Sequence, residues 1–243
     1  MESEIEKSER LKARKKAVPG GLPKPQTLVK NWVHQGFLYM DRGEQAFKLL
    51  TEVSEFLVIF ALFYFAGQNT MSVTYIAVLS FIIVHTFNWV TNNLFWSIVM
   101  FAFPGLKNRG MEQTVSYLAN MADRLRRNRS ITGMALYGSI SRKQWHERSD
   151  LDVRLLRAPG FLNLVKANLV MMRERLIAFL LRQPTDIFLA DGIAFLAKMR
   201  SDEKPILLIR RDERLETIYP GNPEQVISAE HLVGAANLKQ TGP

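Results

Sequence analysis

Between Leu49 and Phe103 the chain carries no lysine or arginine and only two acids, Glu52 and Glu55; no other feature limits so strongly what these 243 residues can fold into. Segments of this kind enter a bilayer as helices, because hydrocarbon offers no partner for an unbonded peptide group. The uncharged turn Gly67-Gln68-Asn69-Thr70 divides the block in two. A first span is expected over Leu49 to Ala66, and its uncharged part from Phe56 alone is short for a hydrocarbon core of about 30 Å, so a re-entrant hairpin stays open as the alternative. The second segment runs from Met71 to Phe103 and would measure close to 50 Å as one helix, so it must tilt, project beyond the bilayer or break near Asn88. Pro104-Gly105 ends it.

Both flanks of the block are basic. Lys12, Arg14, Lys15, Lys16, Lys24 and Lys30 precede it, and Lys107, Arg109, Arg124, Arg126, Arg127 and Arg129 follow it. Under the positive-inside rule both flanks belong in the cytoplasm, which requires an even number of crossings. Two is the economical number, and the expected address is the cell membrane, multi-pass, with both termini and everything after residue 104 in the cytoplasm. The formal charge of +9 then reads as attraction to anionic lipid headgroups; nucleic acid is not expected as the partner. There is no cysteine, so disulfides, thiolate metal sites and cysteine nucleophiles are excluded. The first apolar run starts far from Met1, and no cleavable signal peptide is expected.

The remaining pattern divides the chain into a basic arm and interfacial segment (1–45), a membrane hairpin (46–104), a soluble domain (110–220) and a loosely structured tail (221–243). Within 28–50, Trp32, Phe37, Leu38, Tyr39 and Phe47 stand among charges, as in a helix or turn at headgroup depth. His85, Asn88 and Asn92 share a helical face with Trp89. That stripe reads either as a binding surface for a lipid-linked substrate or partner helix, or as side chains meeting water at the interface. Val115, Leu118, Met121, Ala122 and Leu125 give residues 111–128 a helical period. Strands are expected at Ile131–Tyr137, 151–156, 186–189 and 205–210, with an edge strand at 215–219. A long helix is expected over 161–181 and a short one over 192–199. The fold class is α+β: a small mixed sheet flanked by helices, preceded by an α-helical transmembrane hairpin.

The chemistry concentrates at Tyr137-Gly138-Ser139, a ten-residue interval, then Asp150-Leu151-Asp152-Val153. A strand points residues i and i+2 the same way, so Asp150 and Asp152 face together. Two adjacent carboxylates repel unless a cation separates them, and hard oxygen ligands favour magnesium, which also binds nucleotide phosphates. Asp186, heading the next strand, is the expected third carboxylate, with Asp191 the runner-up. Gly138 allows close backbone approach to a phosphate, and Ser139 can open a short helix whose free N–H groups and positive dipole end hold the β and γ phosphates. Arg142 and Lys143 are placed to neutralise the triphosphate, and Ser149 either bonds locally or joins the nucleotide site. His146 lies between the two halves of the motif; His34 and His231 carry no signal.

The run Gly138-Ser139-Ile140-Ser141-Arg142 with Ser149-Asp150-Leu151-Asp152-Val153 resembles the DNA polymerase β-like nucleotidyltransferase superfamily, most closely its minimal branch, over roughly residues 112–219. The resemblance implies a phosphate-binding turn at Gly138 and Ser139, a metal pair at Asp150 and Asp152, and a third carboxylate at Asp186. It further implies two magnesium ions, a nucleoside triphosphate substrate, and transfer of a nucleoside monophosphate to a hydroxyl or phosphate. One departure stands out: the minimal branch commonly has glycine after the motif arginine, where this chain has Lys143.

Taken with the hairpin, the expectation is a membrane-anchored nucleotidyltransferase acting on a lipid, a lipid-linked sugar or a membrane protein. A partner membrane protein or a second copy of the chain could meet it through the hairpin. The competing expectation is a catalytically silent nucleotide-binding subunit that scaffolds or regulates a membrane glycosyltransferase or transporter.

Overall fold

The computed structural model describes residues 25–66, 71–92, 108–146, 149–197 and 204–232. The basic arm, the 67–70 turn, the continuation of the second apolar segment through Trp96 to Pro104-Gly105, and the tail beyond 232 lie outside the described residues. Among the described residues, eight α-helices and four strands follow in the order α1 Pro25–His34, α2 Arg42–Ala66, α3 Val73–Thr91, α4 Met111–Arg126, β1 Ile131–Tyr137, β2 Leu151–Arg157, α5 Phe161–Leu180, β3 Thr185–Ala190, α6 Ile193–Leu196, β4 Ile206–Arg210, α7 Arg214–Ile218 and α8 Ala229–Leu232.

The strands form one mixed sheet in the order β3-β2-β1-β4, with β2 parallel to β3 and β1 antiparallel to both its neighbours. Its back face is the core. Leu136, Leu151, Val153, Leu155, Ile187, Leu189 and Leu208 pack there against Leu118, Met121 and Leu125 of α4 and Met171 of α5. Burial of a Leu-sized side chain stabilises by about 1.5–3 kcal/mol, so this cluster dominates the sheet domain's stability. The front face carries Tyr137, Ala135 and Leu207 with Tyr219 over them, and the polar residues of β2 and β3 beside them.

Helices α2 and α3 are long and apolar enough to cross a membrane. Their outward side chains, among them Leu50, Leu57, Val58, Leu62, Val78 and Phe87, are exposed. Ser72 caps α3 by accepting from Tyr75 N.

Several expectations change. Helix α2 starts at Arg42 rather than near Leu49, so the 45/46 boundary falls inside a helix whose first turns belong to the soluble domain. Helix α3 ends at Thr91, and the residues that would separate tilt, projection and a break near Asn88 lie outside the described residues. The segment expected at the interface forms α1, a left-handed pair at Gln35 and Gly36, and a 3-10 turn at Phe37–Tyr39. Residues 214–218 form helix α7 instead of an edge strand, because Asp212 accepts Arg214 N at 3.1 Å and starts a turn that buries Leu215 against Leu156, Ala190 and Leu196. The segment after Pro220 is held: Gln225 N donates to Leu207 O at 2.7 Å, Trp145 N donates to Leu232 O at 2.9 Å, and Leu232 is buried.

The outer edge of β3 is where hairpin and sheet join. In a strand paired on one side, alternate backbone groups face outward and need partners. Here the base of α2 supplies them. Leu189 N donates to Glu44 Oε2 at 2.8 Å and Asp191 N to Asp41 Oδ2 at 2.9 Å, while Ile187 O accepts from Arg175 of α5. Arg175 pairs with Glu44 at 2.5 Å, both buried, and also donates to Asn92 at 3.2 Å.

The polar stripe has an outcome neither reading anticipated. His85 pairs with Glu52 and meets Trp32 O at 2.9 Å, Asn88 donates to Glu55 at 2.5 Å, and Trp89 donates to Asn31 at 2.6 Å. These residues knit α1, α2 and α3 together.

Candidate functional site

Strand register builds the site. Asp152 of β2 stands directly opposite Asp186 of β3 in the parallel pair, and opposite Tyr137 of β1 on its other side. Asp152, Arg154, Asp186 and Phe188 therefore share the front face, while Leu151, Val153 and Ile187 fill the core behind. Asp150 precedes the strand and is near enough to act on Asp186 electrostatically. Burial pushes the Asp186 carboxyl up to about 7, and repulsion from Asp150 and Asp152 adds to it. Asp150 is also raised, chiefly by burial, against its own backbone hydrogen bond and the charges of His146 and Arg154. Asp191 is used otherwise: it accepts from Gly43 N at 2.7 Å and from Arg157 at 2.6 Å.

Gly138 leaves β1 at φ +76 and lies against the Asp152 carboxylate. From Gly138 to Arg142 the chain makes a single helical turn rather than a helix. Arg142 N reaches Gly138 O at 3.3 Å, Gln144 N reaches Ser139 O at 2.8 Å and Lys143 N reaches Ile140 O at 2.9 Å. The last two bonds, with Lys143 at φ +56, are those of a Schellman stop, whose left-handed residue is usually glycine. The Ser139 hydroxyl is buried and has no hydrogen-bond partner among the described residues. Ser149 has a local role, accepting His146 N on its hydroxyl at 3.1 Å, and Asn108 ties both ends of that loop by donating to His146 O and Ser149 O.

A cleft of about 540 Å³ opens in front of Asp152 and Asp186, with Arg154 and Phe188 on the same wall and α1 opposite. Arg154 was not singled out from the sequence, although its place two residues after Asp152 gave the signal: its guanidinium lies 3.8 Å from Asp152 and 4.6 Å from the Phe188 ring centre. Lys30 and His34 on the other wall gave none, since nothing local links residue 34 to residue 152.

Among the described residues, no three histidine, aspartate or glutamate side chains are gathered into a metal-holding group. The donor set nevertheless fits magnesium in kind: carboxylate oxygens on adjacent strands, mutual repulsion that a cation would relieve, and a glycine cradle around one of them. No family model matches the chain, and neither the curated proteins nor the solved structures give a match to it.

Proposed function

We propose that the protein is a membrane-anchored, magnesium-dependent nucleotidyltransferase that moves a nucleoside monophosphate from a nucleoside triphosphate to an acceptor at the membrane surface, with α2 and α3 crossing the bilayer and the sheet domain in the cytoplasm. The observation that carries this reading is the facing pair Asp152 and Asp186, set beside the Gly138 turn. Asp150, Asp152 and Asp186 would hold magnesium, which supplies charge neutralisation of the triphosphate and of the leaving pyrophosphate. The turn at Gly138 and Ser139 binds phosphate oxygens, and Arg142 and Lys143 add positive charge nearby. Asp186 would help to take the proton of an acceptor hydroxyl. An acceptor oxygen forms the bond to the α-phosphorus, the bond to the β-phosphate oxygen breaks, and pyrophosphate departs with that electron pair.

The test is incubation of detergent-solubilised protein with each α-labelled nucleoside triphosphate, Mg²⁺ and a total lipid extract. Labelled acceptor and pyrophosphate are expected, and both should vanish in Asp150→Asn and Asp152→Asn. Retained turnover in both variants refutes the assignment. Nucleotide binding without pyrophosphate release would instead support the scaffolding subunit.

A further inference from the structure

We propose that the cleft between α1 and the carboxylate-bearing sheet face binds the phosphate-bearing headgroup of a membrane lipid, making that amphiphile the acceptor. The acceptor role rests on the nucleotidyltransferase reading; the binding does not, and it can be measured without turnover.

Three features of the cleft lead there. First, its second wall is fixed to the hairpin. Trp32 of α1 donates to Thr86 of α3 at 3.1 Å and packs edge-on against Phe81 and His85, so the cleft opens beside the apolar helices. Glu44 meets Leu189, Asp186 lies three residues along β3 from there, and Leu49 lies five residues along α2. At about 3.3 Å per strand residue and 1.5 Å per helix residue, those two legs come to roughly 10 Å and 8 Å, so the acidic floor stands within headgroup range of the apolar belt.

Second, each wall brings a cation to a cleft whose floor is acidic. Lys30 is exposed on α1, and Arg154 reaches from β2 over Phe188. Carboxylates alone would repel an anionic acceptor, whereas ammonium and guanidinium groups on opposite walls offer the donors that phosphate selects. Third, the rim is apolar: Leu38 and Tyr39 line the cleft and are 71% and 72% exposed. A soluble phosphate would use the cations and leave the rim unused. A lipid uses both, with its phosphate between Lys30 and Arg154 and its glycerol and first methylenes on Leu38 and Tyr39.

The experiment follows the thermal midpoint of the full-length protein in uncharged detergent, titrated separately with dioleoyl phosphatidic acid, dioleoylglycerol and glycerol 3-phosphate. Phosphatidic acid should raise the midpoint at concentrations at least about tenfold below those needed with either other probe. Lys30→Glu, and independently Tyr39→Ser, should each shift the phosphatidic acid titration by about tenfold while leaving the response to Mg²⁺ plus a non-hydrolysable nucleoside triphosphate unchanged. Equal stabilisation by glycerol 3-phosphate would mean a soluble phosphate site, equal stabilisation by dioleoylglycerol a purely apolar one, and an unaltered titration in both variants a site elsewhere; each overturns the inference. A nucleotide response without a phosphatidic acid response sinks the lipid site and spares the nucleotide site, and the reverse sinks the nucleotidyltransferase reading alone.

Discussion

Asp152 occupies the space that a side chain on Gly138 would need: a Cβ built on the glycine stands 2.2 Å from Asp152 Oδ2 and 3.2 Å from its Cγ. The backbone turn and the carboxylate are thus one unit, and a phosphate held by the turn would lie beside any cation that Asp152 held. Gly138→Ala must either push Asp152 away from Asp186 or open the turn, and at φ +76 it also adds about 1–2 kcal/mol of backbone strain. A displacement of this size costs on the order of 100-fold in a positioned reaction. Pyrophosphate release by Gly138→Ala, normalised to folded protein by circular dichroism, should fall at least that far; near-normal turnover would separate the turn from the site.

Lys143 holds a left-handed conformation that glycine adopts without penalty. Lys143→Gly should relieve that strain while adding flexibility to the unfolded chain, for a net gain of about 0.5–1 kcal/mol. A small upward shift in thermal midpoint is the expected outcome. If Lys143 also supports the triphosphate, the same variant will bind nucleotide more weakly, so the two readouts move in opposite directions.

The strands and long helices were legible because each is governed by local periodicity. β1 spans Ile131–Tyr137, matching its apolar run, and the alternation in Asp150-Leu151-Asp152-Val153 already separates a functional face from a core face. What sequence could not carry was anything decided between distant segments. That Glu44 would complete the edge of β3, that α1 would wall the cleft, and that His85 and Asn88 would turn inward to Glu52 and Glu55 all depend on packing over long separations. Residues 214–218 fit either a strand or a helix on pattern, and the turn that Asp212 makes with Arg214 N together with burial of Leu215 decided it.

The raised Asp186 carboxyl links stability to pH with a definite sign. With its folded pKa at about 7 against an ordinary 3.8, the folded protein keeps a proton that the unfolded chain has already released between those values. The stability from that proton is complete below the unfolded pKa and lost as pH rises through about 7. In chelator, the thermal midpoint should therefore fall between about pH 5 and about pH 8. Asp186→Asn should flatten that slope and raise the midpoint at the alkaline end while abolishing turnover. Saturating Mg²⁺ should flatten it in the wild type, because a bound cation relieves the same repulsion. An unchanged slope in Asp186→Asn would show that another group governs it.

Gly43 tests whether the hairpin and the sheet form one rigid unit. It packs so closely on β3 that a Cβ would lie 2.4 Å from Asp191 Oδ1 and 2.7 Å from Leu164 Cδ1, and its N–H donates to Asp191 at 2.7 Å. Next to it, Glu44 carries the buried pair with Arg175 and the bond from Leu189 N. Removing one member of such a pair strands the other charge, at a cost of about 3–5 kcal/mol, whereas replacing both by apolar residues of similar volume can be nearly neutral. Gly43→Ala and Glu44→Ala should thus each lower the thermal midpoint by several degrees, and Glu44→Met with Arg175→Met should recover much of the loss. Because Trp32 and Asn31 tie α1 to α3, which packs on α2, the single variants should also weaken acceptor use more than nucleotide binding. If both variants keep the wild-type midpoint and acceptor use, the sheet domain does not depend on this joint.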